Sequence, residues 1–129
     1  MVFRIVNSLM ALLFAVAVAV QYNDPDPVRW MALYGAACLV SLTAGVRGRA
    51  PMLVAAGVGI VALAWGAYWA VTSGTALTLY EHMFDSWEMK DTHIEEAREA
   101  SGLFIVAIWM AVVAARSRSE VLWRSSARR

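Results

Sequence analysis

The sequence predicts an all-α membrane protein, a four-transmembrane-helix antiparallel bundle with a short amphipathic interfacial helix in the outer loop between spans three and four. Three observations predict it. Of the 129 residues, 60% are apolar and only 16% charged, against about 25% charged in ordinary soluble domains. A soluble chain this short has too much surface for its volume to hide so much apolar material. The apolar residues also gather into four runs, each near the length of about 20 residues that crosses a hydrocarbon core. Finally, charge is segregated: with the N-terminus inside, eight of the eleven Lys and Arg residues fall on the inner side and nine of the ten acids on the outer side, the asymmetry that sets orientation in short loops. The same composition excludes a disordered chain. A single cysteine, Cys38, excludes a disulfide scaffold, and a net charge of +1 gives no basic excess for nucleic acid.

Span one covers about 2–20, with Arg4 near its start. A cleaved leader peptide is the rival reading of this run. A short outer link, 21–27, leads to span two at about 28–46. The linker Arg47-Gly48-Arg49-Ala50-Pro51 is so short that spans two and three are expected to form a tight antiparallel hairpin. Span three covers about 52–71. The long outer loop that follows carries Tyr80, Met83, Phe84 and Trp87 at i, i+3, i+4 and i+7, with Glu81, Asp85 and Glu88 opposite. This is the pattern of an amphipathic helix, read as a lid at about 79–90. Thr92-x-x-Glu95 is a capping box that opens the last helix, from which span four emerges at about 99–115. These segments form one transmembrane domain, 1–115. A basic tail, 116–129, is expected to lie against anionic cytoplasmic lipid.

Helices in lipid associate through small residues. The expected packing stripes are Ala11, Ala15 and Ala19; Ala55, Gly59, Ala62 and Gly66; and Ala107, Ala111 and Ala115. Tyr22, Trp30, Tyr68 and Trp69 fit an outer aromatic belt. Trp65, Tyr68 and Trp69 also suit a lipid or quinone groove, though anchoring explains them better. Cys38 reads as a small packing residue.

The candidate site is the outer mouth. Asn23-Asp24-Pro25-Asp26-Pro27 is stiffened by its prolines, and Arg29 follows at the start of span two. Asp26 suits the N-cap position with Pro27 at the first helical position. At the head of the last helix stand His93, Glu95, Glu96, Arg98 and Glu99. The helix dipole explains Glu95 and Glu96 better than Glu99, which lies deeper; a carboxylate there is expected to face the bundle interior and to have a partner. The expected ligand-binding residues are Asn23, Asp24, Asp26, Arg29, Arg98 and Glu99. The expected metal ligands are Asp24, Asp26, His93, Glu95, Glu96 and Glu99. The candidate cofactor is a divalent cation: oxygen ligation suits calcium, magnesium or manganese, and His93 or His82 admits zinc or iron.

Two segments carry a resemblance. Gln21-Tyr22-Asn23-Asp24-Pro25-Asp26-Pro27-x-x-Trp30-x-x-x-Tyr34 and Glu95-Glu96-Ala97-Arg98-Glu99-x-x-Gly102-Leu103 resemble the transmembrane protein 220 family. The resemblance implies the four-span layout and marks these polar segments as the family's distinguishing features. It implies no activity.

Four readings of the outer cluster follow. It is a salt-bridge network locking helix ends, a cation or small-ligand site, the polar face of an accessory subunit in a larger membrane complex, or the centre of a metal-dependent membrane enzyme. The sequence leans against the enzyme: His93-Ile94-Glu95-Glu96 is not the His-Glu-x-x-His of zinc proteases, and Ser73, Ser86 and Ser101 have no evident base. Transport is disfavoured because Asn7, Ser8, Ser41 and Thr43 make no midplane ion path. The expected partners are the lipid bilayer and, as candidates, other membrane subunits or a second copy. The expected location is a bacterial inner membrane with both termini cytoplasmic.

Overall fold

The computed structural model describes the backbone of residues 1–24, 26–72 and 92–126 and the side chains of residues 1–22, 24, 26–72 and 98–119. All regular structure among these is helical: α1 (Val2–Val20), a 3-10 turn (Gln21–Asn23), α2 (Pro27–Arg47), α3 (Met52–Thr72) and α4 (Thr92–Ser126). Four helices are long and apolar enough to cross a membrane, the fourth through its stretch Arg98–Ser119. Helix is the form an apolar single segment must take there, because lipid offers no partner to a backbone amide or carbonyl. Large side chains such as Leu9, Leu12, Leu13, Ile60, Leu63 and Ile108 lie exposed along α1, α3 and α4. That surface has no place in water and matches acyl chains.

The turns follow from local chemistry. Asp24 adopts extended backbone (φ −68°, ψ 146°), as a residue before proline must. Its Oδ1 accepts the Asp26 amide at 2.8 Å, closing a turn across residue 25. Pro27 occupies the first position of α2. At the other end, Gly48 terminates α2 in the left-handed region at φ 74°, the conformation glycine adopts without a Cβ penalty. The Pro51 carbonyl then accepts the amides of Val54 and Ala55 to start α3.

The closest packing is within two pairs, α1 on α2 and α3 on α4; α2 meets α3 and α4 far less. The short 47–51 linker therefore does not yield the tight two–three hairpin expected of it. Side-chain size is the reason. Ala55, Gly59, Ala62 and Gly66 give α3 a face without bulk, all buried, and α4 closes on it. A Cβ on Gly59 would stand 3.1 Å from the Met110 Cβ, and one on Gly66 3.2 Å from the Leu103 Cβ. Between α2 and α3, by contrast, stand two indoles, Trp30 and Trp65.

Helices α1 and α2 are joined by polar contacts as well. Asn7, buried in the apolar core, donates its amide to the Ser41 carbonyl at 2.8 Å. The Cys38 thiol donates to the Ala11 carbonyl at 3.4 Å. The pairs meet each other near their ends: Phe3 stacks on Trp109 with centroids 6.0 Å apart, Arg116 lies 4.5 Å above the Phe3 ring, and Ser117 accepts the Ala50 amide at 3.2 Å.

Two expected stripes need correction. Ala15 and Ala19 face outward, and the buried line on α1 is Asn7, Ala11 and Phe14. Ala111 and Ala115 are likewise exposed; α4 buries Leu103, Val106, Ala107, Met110 and Val113. Once glycines on α3 supply the close approach, α4 can present large side chains to it. Helix α4 has 35 residues, about 50 Å of rod, against about 30 Å of hydrocarbon.

Candidate functional site

Trp30 is the centre of the α2–α3–α4 junction. It is fully buried, not part of an outer belt. Its ring stacks on Trp65 at 4.6 Å and 18°, and on Tyr34, one turn along α2, at 6.3 Å and 25°. The Arg29 guanidinium lies over both indoles, 5.8 Å from Trp30 and 5.7 Å from Trp65, a cation–π arrangement. The Asp26 carboxylate holds the same guanidinium through a 2.8 Å ion pair. The indole N–H of Trp30 has no partner among the described residues, a condition it shares with the indoles of Trp69 and Trp109; of the three, Trp30 is the one fully buried.

One turn deeper, the Tyr34 hydroxyl lies against Gly102 of α4 so closely that a Cβ there would overlap its oxygen. Glu99 stands one turn before Gly102 on the same helix. Leu103 is fully buried beside them. The two polar motifs thus converge: Trp30-x-x-x-Tyr34 from α2 meets Glu99-x-x-Gly102-Leu103 from α4. Gly102 is glycine for a steric reason, and Tyr34 is the group it accommodates.

The family described as transmembrane family 220, helix, matches residues 13–115. The chain belongs to this family. No solved structure matches it. In this transmembrane family 220 chain the match takes in both motifs and all of α2 and α3.

The expected site residues are distributed as follows. Asp24 is half-buried and engaged with the Asp26 amide. Asp26 stands at the N-cap of α2, but its side chain does not cap; it turns to Arg29 instead. Both aspartates therefore shape the link between α1 and α2, and an exposed i, i+3 pair of this kind contributes about 0–1 kcal/mol. Arg98 and Glu99 are half-buried, and each makes an interaction. Asn23 ends the 3-10 turn, and His93, Glu95 and Glu96 lie in the first turns of α4; their side chains are outside the described residues, as are His82 and the lid at 79–90. Among the described residues no three His, Cys, Asp or Glu side chains gather as metal ligands, so Asp24, Asp26 and Glu99 do not by themselves make a metal centre.

Tyr34, Trp65 and Gly102 were absent from the expected site. The available signal was the i, i+4 spacing of Trp30 and Tyr34 inside one motif and the glycine inside the other: a face of rings on one helix opposite a gap on another.

Proposed function

We infer that this small integral membrane protein binds a small polar ligand or cation at its outer mouth, between Trp30, Tyr34 and Glu99. The observation that carries the reading is the unpartnered indole N–H of buried Trp30, within the ring stack that leads to the Tyr34–Gly102 contact, with Glu99 one turn before Gly102 on α4. A ligand oxygen would satisfy that donor, and the Glu99 carboxylate at the lip of the membrane would attract a positive group. The surrounding frame is an antiparallel four-helix bundle in a bacterial-type inner membrane, both termini cytoplasmic. Its support is the charge asymmetry and the order of contacts: Asn7 with Ser41, Ala11 with Cys38 and Val18 with Gly35; Gly59 with Met110 and Gly66 with Leu103. The core role of Asn7, Ala11 and Phe14 favours α1 as part of the bundle rather than a removable leader.

The test is elemental analysis of protein purified without chelator, together with melting temperatures in calcium, magnesium, manganese and zinc. The expected result is a bound cation or a cation-dependent rise in melting temperature that Glu99→Gln abolishes. Metal-free protein whose melting responds to none of the four cations would remove the cation form of the reading.

A second reading, an accessory subunit of a larger membrane complex, is favoured by one feature. An apolar groove of about 470 Å³ runs between α3 and α4, lined by Ala56, Gly59, Ile60, Leu63, Ala107 and Ala111 among others. Its small residues suit close approach of another helix. Stoichiometric co-purification of a partner from native membranes, lost in Ala111→Leu, is the result this reading expects.

A further inference from the structure

At the end of the molecule opposite Trp30, the last turn of α2, the 47–51 linker, the first residue of α3 and Ser117 of α4 enclose a pocket of about 310 Å³. Thr43, Arg47, Arg49, Pro51 and Met52 line it with Ser117. Its floor is fixed: Ser117 is buried and holds the linker by accepting the Ala50 amide. Its rim carries two exposed guanidinium groups, Arg47 and Arg49, and neither has a carboxylate partner among the described residues. The first two amides of α3, at Met52 and Leu53, precede the first backbone hydrogen bonds of that helix and add a partial positive charge on the same side.

The geometry points to a binding site here for a phosphate group, carried by an anionic lipid. Paired guanidiniums match phosphate oxygens, and basic pockets between spans at the cytoplasmic face suit anionic headgroups. The lipid source is favoured by what adjoins the pocket. Leu42 and Val46 on α2, and Leu53 on α3, are exposed apolar side chains within a turn or so of Arg47 and Met52, and an acyl chain has a surface to follow while the headgroup sits on the arginines. The orientation inferred above determines only which leaflet supplies the lipid.

The test uses the full chain in detergent, which reads the pocket whichever way the protein faces in a membrane. Binding of phosphatidylglycerol and of phosphatidylcholine with the same acyl chains is titrated by native mass spectrometry, with inorganic phosphate as competitor. The expected result is preferential binding of phosphatidylglycerol, weakened roughly thirtyfold in Arg47→Gln/Arg49→Gln, taking the usual worth of a basic residue near an anionic headgroup for each arginine lost. Arg4→Gln/Arg118→Gln, which removes the same charge outside the pocket, is expected to bind as the parent does. Should the first double variant not fold, Arg49→Gln alone changes one exposed side chain and is expected to weaken binding roughly fivefold. Phosphate that raises the melting temperature of the parent but not of the variant, without any lipid preference, keeps the phosphate site and assigns it a soluble occupant. Equal losses in the two double variants, or no discrimination between the lipids and no effect of phosphate, overturns the proposal.

Discussion

Gly102→Ala tests the junction of the two motifs most directly. The added methyl would overlap the Tyr34 hydroxyl oxygen, yet would reach only ordinary contact, 3.5 Å, with the ring carbon bearing it. Overpacking of this kind costs about 1–3 kcal/mol, toward the lower end if the ring swings aside. Tyr34→Phe deletes the one atom that clashes. In that background Gly102→Ala should cost no more than about 0.5 kcal/mol, the range of an unconstrained substitution. The double-mutant cycle is therefore expected to give a coupling of about 1–2 kcal/mol. The assay is reversible unfolding of the detergent-solubilised protein by sodium dodecyl sulfate, followed by circular dichroism and by the fluorescence of its six tryptophans. Additive effects, or a Gly102→Ala variant as stable as the parent, would refute the contact and with it the meeting of α2 and α4 at this point.

The helix pairs can be tested by similar contrasts under the same unfolding assay. Gly59→Ala should destabilise by about 1–3 kcal/mol because its methyl meets the Met110 Cβ at 3.1 Å, whereas Gly57→Ala, with nothing within 4 Å, should be neutral or stabilising. Asn7→Ala removes the buried bond to the Ser41 carbonyl and some packing, and should cost about 1–2 kcal/mol; Ser8→Ala, exposed and bonded only to its own helix, should stay within about 0.5 kcal/mol. Gly48→Ala has open space around its methyl but must hold φ 74°, so it should lose about 1–2 kcal/mol from backbone strain alone.

The four helices were legible because hydropathy and length speak directly to what a bilayer accepts. Which face of each helix packs was not legible in the same way. In lipid the outward face is as apolar as the inward one, so hydrophobicity no longer separates them. The small-residue rule succeeded on α3, where glycines demand a close neighbour, and failed at Ala15, Ala19, Ala111 and Ala115, because alanine is equally content facing lipid. Trp30 looked like an interfacial anchor by its position near a helix start; that it is buried depends on Trp65, 35 residues away. The prolines did give the link between α1 and α2 away, and the backbone of Asp24 follows from them. The Asp26 side chain did not, because both an N-cap bond and an ion pair with Arg29 are open to it, and the structure takes the second.

The pairing of α1 with α2 and of α3 with α4 has a consequence for how the chain is made. The first pair is complete once residue 47 has left the ribosome, and its stitches, Asn7 to Ser41 and Cys38 to Ala11, all lie within that length. The third helix meets the first pair through the Trp30–Trp65 stack, but the partner of its glycine face comes later in the chain. It must wait in the bilayer until the segment around Leu103 and Met110 has been synthesised, its glycine face covered meanwhile only by acyl chains or by the insertion machinery. A chain stalled between those two moments leaves that face without the neighbour it has in the finished fold.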